Sequence, residues 1–209
     1  MAQQEPLSFE DPRILDSGEA FLTKNLYPLV FALIALLIVA CGLTWWLVGK
    51  QSKEEEAFKL YASSATAGEW KKIIQTYPVS SAAALAIIDL AQQETSSGNY
   101  EAAVSLYQDF LKKFSKHPAA SAVELALAVS LESAGKTAEA KAAYNGLLAS
   151  GSSHAFSGQA SIGLARIYLE ENNLLAARQT LSDYVSAHEE SGGGNQAREM
   201  LNSLPPAAK

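Results

Sequence analysis

A single cysteine, two methionines and three histidines leave this chain of 209 residues poor in side chains that ligate metals or form cross-links. With Cys41 alone, no disulfide can form within the chain. His117, His154 and His188 are scattered, with no second His or Cys at ligand spacing, so neither a metal site nor a cofactor is expected. The formal net charge is −6 and no basic stripe occurs, which gives nucleic-acid binding no electrostatic support. No segment sustains a period-two alternation, so no sheet is expected. Catalytic arrangements are equally scarce. Gly192-Gly193-Gly194 lacks the Lys-Ser/Thr of a phosphate loop and reads as a loop. Ser152 and Ser153 beside His154 lack the strand-turn-helix setting of a nucleophile elbow and read as a helix cap. The chain is therefore expected not to be an enzyme.

Charge is absent altogether from Leu26 to Val48. At ~1.5 Å rise per residue this apolar run makes a helix of about 34 Å, longer than a hydrocarbon core of ~30 Å. Tyr27 flanks one end and Trp45-Trp46 the other, where amphipathic rings favour the headgroup region. Pro28 is expected in the first helical turn. A cleaved signal peptide has a shorter apolar core, of ~7–15 residues, followed by small residues. Ile38-Val39-Ala40-Cys41 does resemble a bacterial lipobox, but apolar residues continue past Cys41, which favours an uncleaved span. Flanking charge is nearly tied, with Arg13 and Lys24 on one side and Lys50, Lys53 and Lys59 on the other, and leans slightly toward a cytoplasmic C-terminal domain.

The organisation that follows is a flexible tail over 1–25, a transmembrane helix over 26–48, and a stalk with N-terminal cap helices over 49–78. Repeats occupy 79–190, and a cap helix with a tail occupies 191–209. The stalk, Gln51 to Ala67, has Ala57, Phe58, Leu60, Tyr61 and Ala65 as its apolar set. Over 79–190 four series recur at a period of about 37 residues. They are Leu90-Ala91, Leu127-Ala128 and Leu164-Ala165; Gly98, Gly135 and Asn172; Ala103, Ala140 and Ala177; and Tyr107, Tyr144 and Leu181. Each copy reads as two helices around a tight turn that favours a left-handed backbone. The small residues let helix axes approach, and stacked hairpins share one core. The expected fold is all-α: one membrane helix, then an α-solenoid of about three hairpins with caps.

Small residues at the centre of both helices, a Gly-type turn, an aromatic four residues after the helix-B Ala, and Pro118 after helix B resemble tetratricopeptide repeats. The usual Trp early in helix A is missing, with Ile87, Glu124 and Ser161 in its place. The whole plan is similar to the YfgM-like family, the ancillary subunit of the bacterial SecYEG translocon. That resemblance implies a single-pass inner-membrane protein with a periplasmic repeat domain that meets translocon and chaperones. In such solenoids helix A lines the concave groove. The groove set is then Leu85, Ile88 and Gln92; Ala122, Leu125 and Val129; and Gln159, Ile162 and Arg166. It is mainly apolar, with Arg166 as its cation. The expected function is a membrane-anchored interaction scaffold. An envelope-assembly or cell-division repeat lipoprotein and a membrane-tethered holdase are the alternatives.

Overall fold

The computed structural model describes residues 12–149, 154–188 and 192–205. The described residues form nine α-helices and no strand. They are α1 (Pro12–Ser63), α2 (Ala67–Thr76), α3 (Ser81–Ser96), α4 (Tyr100–Phe114), α5 (Ala120–Ser133), α6 (Thr137–Ala149), α7 (His154–Glu170), α8 (Leu174–Ala187) and α9 (Gly192–Ser203). The chain divides into two units, residues 1–52 and 53–209.

In the first unit, α1 is long and apolar enough to cross a membrane, and none of its apolar stretch is buried inside the protein. Every side chain from Val30 to Val48 is exposed. Two expectations change here. Residues 12–25, read as a flexible tail, belong to α1, and residues 1–11 lie outside the described residues. Pro28 consequently sits inside the helix instead of in its first turn. Proline in a helix interior lacks one N–H and costs ~3 kcal/mol in water, a penalty that membrane helices accommodate by local readjustment.

The second unit is a stack of helical hairpins: α3 with α4, α5 with α6, α7 with α8. Their turns share one hydrogen-bond pattern. Gly98 N–H donates to the Thr95 carbonyl and Asn99 N–H to the Glu94 carbonyl; Gly135 and Lys136 do the same to Glu132 and Leu131, and Asn172 and Asn173 to Leu169 and Tyr168. The pairs define a Schellman motif, which places its central residue at positive φ. Gly98, Gly135 and Asn172 have φ of 78°, 74° and 58°.

Beyond each turn the small residues meet. Ala103, Ala140 and Ala177 are fully buried, and Tyr107, Tyr144 and Leu181 fill the space beside them. The same register reaches farther than the sequence reading carried it. Ile73, Phe110, Leu147 and Tyr184 stand 37 residues apart and are all buried, so α2 is the second helix of a hairpin preceding the others. The first helix of that hairpin is the end of α1. Ala57 is fully buried with Ile73, Ala82 and Ala86, and Leu60 and Tyr61 pack on them. The stretch read as a stalk is therefore, from Lys53 on, part of the folded array. It closes on a capping box in which Thr66 and Glu69 satisfy each other's backbone N–H groups. At the other end Gly192-Gly193-Gly194, read as a loop, is the first turn of α9. This helix lies one period beyond α7. It buries Ala197 against Ala165, Ala177 and Leu181, with Met200, Leu201 and Leu204 packed around them. That apolar cover holds it helical despite the glycines.

Candidate functional site

The candidate surface lies on the first helices of the hairpins, α3, α5 and α7. On α3, Leu85 and Ile88 are half-buried and Gln92 is exposed. Ile88 packs on the core around Ile87, Ala91 and Tyr107. On α5, Ala122 and Leu125 are half-buried, and Leu125 packs on the core around Tyr144 and Leu164. Val129 is exposed. On α7, Gln159 and Arg166 are exposed, while Ile162 is half-buried against the α8–α9 core. Ile88, Leu125 and Ile162 are thus each half-sunk, with the exposed Gln92, Val129 and Arg166 a turn later, and α3 adds a second half-buried aliphatic, Leu85. The arrangement can grip an apolar ligand only shallowly, since Ile88, Leu125 and Ile162 already serve the core.

Arg166 does not stand alone. Its Nε donates to Glu132 Oε1 at 2.5 Å and its Nη2 to Glu132 Oε2 at 2.8 Å, joining α7 to the end of α5. Tyr144 Oη, from α6, donates to the same Glu132 Oε2 at 2.7 Å. Burial pushes the Glu132 carboxyl up, but the hydrogen bonds from Arg166 and Tyr144 and the Arg166 charge outweigh it, and the net shift is downward. Burial, then the hydrogen bond to Glu132, pushes the Tyr144 phenol up. The bond to Glu132 likewise raises Arg166. A bidentate guanidinium–carboxylate pair is geometrically specific and stronger than a neutral hydrogen bond. The pair therefore fixes the spacing of α5 and α7 and spends part of the cationic capacity expected to meet a partner.

The ring of Tyr144 lies across α7 at Gly163. A Cβ at that position would stand 2.5 Å from Tyr144 Cζ, so no larger residue fits without movement. Glu132, Tyr144 and Gly163 form the best-defined polar and steric feature of this face. Of these, sequence reasoning placed only Tyr144 in a series. One signal was available: Glu132 and Tyr144 stand one period after Thr95 and Tyr107, whose side chains also share a hydrogen bond. At the start of the array the same device recurs in different form, with Tyr61 Oη donating to Asp89 Oδ2 at 2.5 Å between α1 and α3. Burial and that bond push Tyr61 up to about 12.

Among the described residues no group of three His, Cys, Asp or Glu side chains is placed to hold a metal ion. Cys41 is exposed on α1, in the first unit.

The tetratricopeptide repeat-like domain family matches residues 19–191. The match takes in most of the chain, and the chain belongs to that family. No curated protein matches it. Solved structures share its fold at 17% identity. A tetratricopeptide repeat protein from Parabacteroides merdae ATCC 43184 aligns over 73% of this chain and 58% of its own length, with a TM-score of 0.53. The type III secretion translocator chaperone SycD of Yersinia enterocolitica aligns over 63% of this chain and 96% of its own, with a TM-score of 0.51. Putative kinesin light chain TPR-like repeats from Podosopora anserina align over 72% and 82%, with a TM-score of 0.54. The chain thus spans under two thirds of the Parabacteroides protein. At this identity the likeness concerns the fold.

Proposed function

We propose that this protein is a membrane-anchored interaction scaffold without catalytic activity, ancillary to protein translocation or to periplasmic chaperone networks. One observation carries the reading: the family match begins at residue 19 and so takes in the apolar helix as well as the repeats. Anchor and array form one inherited unit, and a tetratricopeptide array is a surface for proteins. The resemblance to the YfgM-like family supports the translocon and an inner-membrane, periplasmic setting. The groove residues Leu85, Ile88, Gln92, Leu125, Val129, Ile162 and Arg166 are the proposed contact surface, with apolar side chains supplying affinity. Partners are proteins, with no small-molecule substrate, nucleic acid or cofactor.

The test is capture from solubilised membranes by the full chain and by a Val129→Ser/Ile162→Ser variant that keeps its melting transition. Loss of translocon and chaperone partners from the variant is expected. Unchanged capture would move the contact to another surface. Failure of the native chain to capture either would remove the assignment. Protease added to intact spheroplasts should digest the repeats, and intact mass should find the chain uncleaved before Cys41. A mature chain starting at an acylated Cys41 would establish the lipoprotein alternative.

A further inference from the structure

The hairpins sort their charges by layer. The first helices, from Lys53 of α1 through α3, α5, α7 and α9, carry nine carboxylates against four cations. The second helices, α2, α4, α6 and α8, carry five carboxylates against six cations. Within the first layer the cations nearest the candidate face are engaged. Arg166 holds Glu132 and lies in the field of a second carboxylate, Glu170. Lys59 holds Glu55 at 2.8 Å. Lys53 and Arg198 fall on other sides of their helices, Arg198 one period after the buried Ser161. Glu170, a turn after Arg166, and Glu199, one period after Ile162, are exposed on the face itself.

The same face reaches one helix beyond α3. Glu54 Oε1 accepts from the Ser81 N–H at 2.6 Å, and Tyr61 Oη donates to Asp89 two turns farther along both helices. The end of α1 therefore runs parallel to α3, with Phe58 level with Leu85. Ala57 and Leu60 turn inward onto Ile73, Ala82 and Ala86. At ~100° per residue Phe58 falls on the α3 side of its helix, turned away from that core. It is 52% exposed, and its ring leans on Tyr61 at 6.2 Å between centroids. Leu85 is half-buried and belongs to none of the buried cores. Unlike Ile88, Leu125 and Ile162, these two side chains have apolar surface to spare. Asp89 stands one turn after Leu85.

We propose that this face takes a basic amphipathic segment of a partner protein, its apolar anchor set at Phe58 and Leu85 and its lysines or arginines toward Asp89, Glu170 and Glu199. The proposal rests on the groove reading of the first helices and deepens it. Aromatic side chains are enriched in the cores of protein interfaces. Exposed carboxylates repel an acidic segment, and opposite charge speeds encounter and selects the partner. Arg166 is then not the receptor of an acidic group. Releasing it would break a bidentate bond and strand the half-buried Glu132 without its cation. A Phe58 ring that only shields the Tyr61–Asp89 bond would serve stability and be indifferent to any partner.

The test uses the full chain in phosphatidylcholine nanodiscs, with empty discs as blank, and two labelled amphipathic peptides of one pattern, leucine–lysine and leucine–glutamate. Fluorescence anisotropy should show the lysine peptide binding at least about tenfold more tightly, a preference that added salt reduces. Phe58→Ser should weaken that binding about fivefold or more with the thermal melt unchanged. Glu170→Lys/Glu199→Lys, at two exposed positions, should move the preference toward the glutamate peptide. Equal or tighter binding of the glutamate peptide by the native chain, or a Phe58→Ser chain that holds the lysine peptide as the native one does, would overturn the proposal. Capture from solubilised membranes reads the groove separately. Partners lost from Val129→Ser/Ile162→Ser but kept by Phe58→Ser would leave the groove standing and refute its extension onto α1. Partners kept by both variants would refute the groove and this proposal with it.

Discussion

Leucine, isoleucine and valine behave in opposite ways in the two units of this chain. Between Val30 and Val48 they face outward, with Leu36 69% and Ile38 67% exposed. From Lys53 on, only Phe58, Val79, Val129 and Leu175 are large apolar side chains left exposed among the described residues. The first unit keeps its backbone satisfied by its own helix and leaves exposed a run of side chains long and apolar enough to cross a membrane. The second must remove its apolar surface from water and does so by stacking, because no single hairpin can bury its own face. Composition alone does not separate the cases. The difference lies in whether small residues recur at places where another helix can come close.

The sharpest way to break this contrast is to place a charge in each environment. Ala140→Asp puts an unpaired carboxylate into a fully buried crossing, and should lower the stability of the array by about 3–5 kcal/mol in thermal melts. Lys136→Ala, at a turn where the side chain sits a loose 3.9 Å from Glu101, should change it by less than about 0.5 kcal/mol. Leu37→Lys places a charge mid-run in the first unit. It should cost membrane integration about 3 kcal/mol, read as loss of carbonate-resistant membrane association. The melt of the repeats in detergent should stay unchanged. A matching loss of array stability would show that the two units do not behave independently.

A smaller effect tests how closely the stacking is fitted. Gly163→Ala forces a methyl toward the Tyr144 ring and should cost about 1–3 kcal/mol. Tyr144→Leu, which installs the residue found at position 181, should absorb most of that cost in the double variant. Simple additivity would show that ring and glycine do not share one space. A comparable or smaller effect is expected at the polar link between α5 and α7. Glu132→Gln should cost about 1–2 kcal/mol at neutral pH. The folded Glu132 binds its proton less readily than an ordinary carboxylate. Its contribution is therefore present above the unfolded value of ~4.3 and is lost as pH falls through the depressed folded value. Melts of wild type and Glu132→Gln should converge on acidification. Tyr61 runs the other way. Its folded pKa is raised to about 12, so its contribution is complete below pH ~10 and disappears as pH rises through the folded value.

The amino-acid sequence by itself determined the apolar run, the all-helical class, the period and the turns. Those features are local. A Schellman turn needs a residue tolerant of positive φ at one place, and Gly98, Gly135 and Asn172 supply it. A buried crossing needs a small residue at a fixed step, and Ala103, Ala140 and Ala177 supply that. Tertiary structure alone decided what the ends of the array would become and what the candidate surface holds. Lys53 to Ser63 reads as an amphipathic stalk, yet it joins the array because Ala57 is buried with Ile73 of α2 and Ala82 and Ala86 of α3. Gly192 to Gly194 reads as a loop because glycine has low helix propensity, and the cover that α9 gives to the α7–α8 face overrides that preference. Glu132 and Arg166 stand 34 residues apart on helices that only stacking brings together, so no window of sequence could have paired them. Local chemistry sets the backbone of each hairpin. Which polar groups end up facing one another depends on how the hairpins lie against their neighbours, and that is a property of the whole stack.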